Sequence, residues 1–451
     1  MGYTYAMKIQ INRLTLTAFL AVSWLFSLNW AMTEFAVAAE KAPAGADQRP
    51  LVATSLVDTA AFTVHLPLLQ RNYPIPEEFR GLWVTRFDWT RFGDTVTTSD
   101  LDTIVDHAAA AHFNALLFQV RGTADAYYAS TLEPWAARLT GSTTRTLGVD
   151  PGFDPLAYLI TRAQQSGLQV HAYINILPTW LCGLGAPPDN TTPQQLFWTL
   201  SHSASTWSAW RVYSDPVTPQ HLTTCADYLW ATPALSLTRD HITAVAADIV
   251  NRYAVDGIHL DLIRYPGPNY SFDPYTLQAF SAALQITPTL TITDWRPAFQ
   301  RAQIDAIVQQ IYSATTALKP ELLVSAAVWP NYTSGYNSYY QDSKGWLASG
   351  ISDANLPMLY ASDIVNDLTA WTTRAQEFLN DSSGRYVFPG ISTNYTDVTQ
   401  LTERIEAARS LGAKGVALFS YGALNTYDYW DELANGPFAI TATVPQPAWK
   451  P

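Results

Sequence analysis

The sequence predicts an α/β chain of the (β/α)8 TIM-barrel class, with a long insertion after the third strand. Two observations carry that expectation. Short apolar runs recur along the chain, each passing into a polar loop and then a helical stretch, and eight such units can be traced. No GxGxxG or phosphate loop follows any of these runs, which argues against a doubly wound nucleotide-binding sheet. The chain of 451 residues is long enough for one large barrel with flanking segments.

The first strand is expected over residues 81–85, followed by a helix over 100–111 with Ser99 as N-cap. The second strand spans 115–120, and the next helix follows Asp154 and Pro155, a capping side chain and a first-turn proline. Strand three spans 168–174. A long excursion, 177–237, precedes a helix from about 239 to 253. Strand four, 257–260, closes with Asp261. A short helix near 275–284 and a longer one over 296–318 lead to strand five at 322–328. Strand six, 354–360, contains Pro357, which removes one ladder hydrogen bond. Strand seven spans 386–391, a helix 400–411, and strand eight 415–420.

The flanks divide the chain further. Lys8 and Arg13 precede an apolar run from about residue 14 to 30, and small residues follow up to Ala39. That is the pattern of a secretory signal, expected over 1–39 with cleavage near Ala39. An uncleaved anchor is the alternative, because the run is close to the length of a membrane span. Either way the body is expected to be secreted, periplasmic or at the cell envelope. Residues 40–76 read as a linker and entry segment, 77–435 as the barrel and 436–451 as a wrapping tail. Cys182 and Cys225 are the only cysteines, both in the excursion. In an oxidising compartment they either pair as a disulfide or remain buried thiols.

The formal charge of −12 argues against a nucleic-acid partner, which calls for a basic surface. There are 16 Trp and 24 Tyr. Several follow apolar strands, where their flat faces suit stacking on sugar rings. In a parallel barrel the site forms at the C-terminal strand ends, and reading those ends collects carboxylates, arginines and aromatics. Asp261 stands out because it directly ends an apolar strand, where an aspartate is costly without a partner or a task. Its structural alternative is a salt bridge to Arg264. Glycosidic hydrolysis uses two carboxyl groups. The second is expected to be Asp125 or Asp88, with Glu133 further along its loop. Expected substrate contacts are Trp89, Arg121, Tyr127, His171, Tyr173, Asn175, His259, Arg264, Trp329, Asn331, Tyr360 and Tyr421. For His171 and His259 a core role is the equal alternative. Arg121 and Arg264 either neutralise an acidic sugar or fix the aspartates. No metal site and no cofactor are expected, since no tight ligand motif is present.

Several segments together resemble the glycosyl-hydrolase-like family 10 of exported barrel proteins. They are residues 79–85 with Asp88 and Trp89, residues 114–121 with Asp125, 132–135 and 139–141, 154–156, 167–173 with Asn175, 253–261, Trp329 with Asn331, 356–360, and 419–421. The resemblance implies glycoside hydrolysis, with at least one relative acting on peptidoglycan glycan strands. It also implies similarity to amylase-like barrels, in which the aspartate closing strand four is a nucleophile. The family often carries two adjacent aspartates there, whereas here Leu262 follows Asp261. The stretch 325–329 also lacks the acid glutamate of amylase-like enzymes.

The expectation is therefore a hydrolase of an envelope or extracellular poly- or oligosaccharide, associated with the cell wall or envelope. The alternative is a non-catalytic carbohydrate-binding or scaffold protein on the same barrel.

Overall fold

The computed structural model describes residues 75–181, 184–203, 228–268, 274–284 and 297–451. Its strands are β1 Phe79–Val84, β2 Ala115–Arg121, β3 Gln169–Asn175, β4 Pro178–Leu181, β5 Tyr228–Trp230, β6 Gly257–Asp261, β7 Leu323–Val328, β8 Ala354–Pro357, β9 Tyr386–Val387, β10 Gly390–Ser392 and β11 Gly415–Phe419. One sheet runs β10-β11-β1-β2-β3-β6-β7-β8-β9, and every pairing along it is parallel. β9 and β10 are two halves of the expected strand seven, separated only by Phe388 and Pro389. Phe388 N–H donates to Asn355 O at 3.0 Å on one side, and Pro389 O accepts from Ala417 N–H at 3.2 Å on the other. The ring closes through that bent strand, giving the (β/α)8 barrel. Pro389 has no N–H to give the ladder, which is why strand seven divides there.

The helices are α1 Arg86–Trp89, α2 Thr98–Ala110, α3 Pro155–Gln165, α4 Leu196–Ser203, α5 Ser236–Arg252, α6 Pro274–Leu284, α7 Pro297–Leu318, α8 Tyr332–Ser338, α9 Ser343–Ser349, α10 Leu368–Asn380, α11 Val398–Ser410, α12 Tyr421–Tyr427 and α13 Trp430–Asn435. α3 begins as expected: Asp154 accepts from the amides of Leu156 and Ala157, with Pro155 in the first turn. α2 begins earlier than expected. Its cap is Thr97 and not Ser99, because Asp100 reaches back to accept from the Thr97 amide at 2.9 Å. In the excursion after β3, β4 and β5 pair antiparallel and α4 lies between them in sequence. Cys182 and Cys225, the expected signal segment and the middle of the excursion lie outside the described residues.

Alternation along the strands creates two cores. Phe79, Trp83, Ala115, Leu117, Tyr173, Leu356 and Phe388 point into the barrel and fill it. Their neighbours one residue away, such as Leu82, Leu116, Val170, Ile258 and Leu418, point outward against the helices. Each such fully buried aliphatic side chain contributes about 1.5–3 kcal/mol. Gly257 belongs to the inner set for a steric reason: a Cβ there would collide with the ring of His171.

The tail is tied to the face opposite the C-terminal strand ends. Glu78 N–H donates to Thr443 O at 2.9 Å. Asp353, wholly buried at the start of β8, accepts from Trp449 Nε1 at 2.8 Å and Arg385 Nη1 at 2.9 Å, and pairs with Lys450 Nζ at 2.8 Å. Val324 N–H donates to it as well, at 3.0 Å. Removing this carboxylate leaves two cations facing a dry site without their partner. Asp353→Ala is expected to lower stability by ~3–5 kcal/mol, read from urea unfolding. A midpoint unchanged from wild type would contradict the anchoring role.

Candidate active site

Asp261 closes β6 at the C-terminal rim and is partly exposed. Its Oδ2 accepts from the Tyr173 hydroxyl at 2.5 Å, and its Oδ1 from the Leu262 amide at 2.7 Å. Leu262 holds a positive φ of 51°, a conformation unfavourable for a branched side chain. That turn brings its N–H onto the carboxylate. Among the described residues no arginine or lysine pairs with Asp261. The alternative of a salt bridge to Arg264 is thereby corrected. The Arg264 guanidinium lies 5.1 Å from the ring of Trp329, 5.2 Å from Tyr339 and 5.6 Å from Trp230, an aromatic setting that suits its planar cation.

Beneath Asp261 lies a dry polar chain. Trp83 Nε1 donates to His259 Nε2 at 3.0 Å. An imidazole that accepts at Nε2 carries its proton at Nδ1, so His259 Nδ1 donates to Ser325 Oγ at 2.9 Å. Burial, with His171 adding to it, pushes the His259 imidazole down to about 3. His171 sits lower still, against Phe79 and Gly257, and burial pushes it down to about 4. Both histidines are wholly buried and neutral. Of the two roles expected for each, burial favours the core one. Tyr173 and Tyr360 do sit with Asp261. Burial and the Asp261 charge raise both hydroxyls well above the ordinary tyrosine value, so both remain protonated donors. Tyr360 stacks on Phe419 with ring centres 4.9 Å apart. Asn175 pairs with Asp261 across β3 and β6, and its buried Oδ1 has no partner among the described residues.

The two other expected carboxylates are held by backbone. Asp125 is buried and accepts from Thr123 N–H at 2.6 Å. Burial raises its carboxyl above the ordinary range, against the lowering charge of Arg86. Arg86 flanks Gly122 together with Asp125, donates to Tyr228 at 3.0 Å and acts electrostatically on Tyr173. Asp88 caps α1 by accepting from Thr85 N–H at 2.7 Å and meets the amide of Gly422 at the start of α12. Burial pushes it up to about 6.

Arg121 is corrected from substrate contact to barrel framework. It is 0% exposed, pairs side-on with Glu133 through Nε and Nη2 at 2.8–3.0 Å, and donates to the backbone oxygens of Asn175 and Ile176. His241 also reaches Glu133, at 3.0 Å. Burial alone raises the Glu133 carboxyl, but Arg121 and His241 outweigh it and hold it at about 2. Four more expected contacts are corrected for packing reasons. Trp89 and Tyr127 face outward from the barrel, where Trp89 lies against Phe118 and Tyr127. Tyr421 packs beside Trp430 and its hydroxyl meets His107 at 3.1 Å. Asn331 caps α8 by accepting from Ser334 N–H at 2.9 Å. Trp329 remains at the rim, stacked on Tyr339 at 3.8 Å. The sequence reading missed Trp83 and Ser325 as partners of His259. Ser325 left a signal, a lone hydroxyl at an inward position of an apolar strand. No group of three potential metal ligands occurs among the described residues.

The glycosyl hydrolase-like 10 pattern matches residues 78–385. The chain belongs to that family. It is 26% identical over 434 residues to the glycosyl hydrolase YngK of Bacillus subtilis (strain 168), covering 86% of this chain and 77% of YngK. It is 26% identical over 317 residues to the glycosyl hydrolase DigH of Escherichia coli (strain K12), covering 63% of this chain and 66% of DigH. Among solved structures, the glycoside hydrolase domain of PgaB (BpsB) from Bordetella bronchiseptica superimposes with a TM-score of 0.58 at 12% identity, over 81% of this chain and 99% of that one. The catalytic domain of beta-amylase from Paenibacillus polymyxa gives 0.51 at 13%, over 78% and 94%. The structural likenesses establish the barrel, and the family supports a glycan-related function.

Two measurements test the buried framework. Glu133→Gln strands the Arg121 charge and is expected to cost ~3–5 kcal/mol in urea unfolding. A cost within error of zero would contradict that assignment. His171 and His259 have folded values below the ordinary ~6.5, so the unfolded chain binds protons first as pH falls. Their contribution is complete above about 6.5 and declines as pH drops towards 4. The urea midpoint should follow that decline, and His171→Leu should flatten it.

Proposed function

We propose that the protein hydrolyses glycosidic bonds of an exported polysaccharide, with Asp261 as nucleophile or base. The observation that carries this reading is the hold on Asp261: a tyrosine hydroxyl and one amide, with no cation among the described residues, at the open end of a barrel strand. A carboxylate so held is positioned at the open strand end, within reach of an anomeric carbon or a water. Asp125 serves as the acid. Burial shifts its carboxyl upward, the direction a proton donor requires, and it flanks Gly122 together with Arg86. Tyr360 and Trp329 offer flat faces for sugar rings, and the unpartnered Asn175 Oδ1 accepts from a sugar hydroxyl. Peptidoglycan glycan strands are the proposed substrate, in keeping with the leader-like sequence ending near Ala39.

One observation favours a second reading, carbohydrate binding without cleavage: Asp125 and Asp88 are both anchored by backbone amides. A single assay separates the two. Purified peptidoglycan, intact and stripped of stem peptides, is incubated with the protein beside neutral polysaccharides, and new reducing ends are counted. Hydrolysis predicts new ends from the wild type and a loss of about 10²–10⁴-fold in Asp261→Asn. Binding to the glycan without new ends in either protein rejects the hydrolytic reading. Tyr173→Phe removes the hydrogen bond to the charged carboxylate and is expected to lower kcat by ~10–100-fold. A fully active Tyr173→Phe protein would contradict its role in holding Asp261.

A further inference from the structure

Two phenylalanines on the rim have no place in the core. Phe87, in α1, is 52% exposed and Phe92, just beyond it, is 49% exposed. Neither belongs to a buried cluster. Both rings lie against the same guanidinium, with Arg138 Cζ 4.7 Å from each ring centre. Arg138 is itself fixed, since Nε donates to Thr90 Oγ1 at 2.8 Å and Nη2 to Thr90 O at 3.0 Å. Among the described residues its Nη1 has no partner. Two half-exposed rings thus lie on either side of one anchored guanidinium. The ledge adjoins the candidate site along the chain: Phe87 follows the buried Arg86, whose guanidinium lies 4.2 Å from the Phe87 ring centre. Arg86 in turn flanks Gly122 together with Asp125.

We propose that Phe87, Phe92 and Arg138 form an outer subsite that stacks one saccharide unit of a long glycan chain. The inference rests on the reading that the reacting bond lies at Asp261. The apolar C–H face of a sugar ring covers the exposed phenyl surface, and a hydroxyl or carboxylate oxygen accepts from Arg138 Nη1. Such a subsite adds affinity only for chains long enough to reach it from Asp261, and it selects polymers over short fragments.

The test is calorimetric binding to the full chain carrying Asp261→Asn, which leaves the ligand intact. The probes are glycan strands of peptidoglycan stripped of stem peptides, as disaccharides and as long strands. The doubly substituted Phe87→Ala, Phe92→Ala form is expected to bind long strands about tenfold more weakly. Its affinity for the disaccharide and its melting temperature should be unchanged. Equal affinity for long strands with and without the two rings overturns the subsite. So does an equal loss for both probes, or the absence of any preference for long strands in the parent. Reducing-end release by the protein with Asp261 intact tests hydrolysis separately, so either idea can fail alone.

Discussion

Closure of the parallel sheet is the constraint on which the rest depends. Once β9 and β10 join β8 to β11, each strand residue must point either into a narrow interior or out to the helices. That division gives the site its vertical order. Along β6, Gly257, His259 and Asp261 all face inward, one above the other: a space for His171, a dry hydrogen-bonding layer, and the rim carboxylate. The same rule takes Trp89 and Tyr127 away from the site, into the outer core.

Charges in this barrel are sorted by depth. The Arg121–Glu133 pair is dry and fully engaged, and it ties the loop after β2 to the end of β3. A buried pair of that kind is hard to break without leaving a stranded charge. Asp261 has no such partner among the described residues. The contrast arises because Arg121 finds both a carboxylate and backbone oxygens within reach, while the turn at Leu262 offers Asp261 only an N–H. Asp261 sits at the rim where the Tyr173 hydroxyl from β3 donates to it, and its charge acts on Tyr360 in the loop after β8.

Much of the architecture was legible in the chain because it is written in local patterns. The recurrence of apolar runs, the Asp154–Pro155 helix start and the placement of Asp261 at a strand end were all readable. The proline irregularity was expected at Pro357, which keeps its place in β8, whereas the strand divides at Pro389. Local reading erred where two partners were equally near in sequence, as with Thr97 and Ser99 at the start of α2. It left His171 and His259 open between a core role and substrate contact, and it took Asn331 to face the rim. His171 and Asn331 show what local pattern leaves undecided. A strand position two residues lower is sealed inside, and a side chain three residues past a strand is close enough to cap the next helix.

The sequence by itself determined the barrel, the family segments and the prominence of Asp261, because periodicity and strand-end position are properties of neighbouring residues. Only the tertiary structure decided which long-range partners each polar group takes. Arg121 and Glu133 are separated by a loop, Tyr173 and Asp261 by the whole excursion, and Trp83 and His259 by more than two strands. Whether a carboxylate ends up neutralised or available depends on which of these groups the closed sheet brings within hydrogen-bonding distance, and no local pattern encodes that.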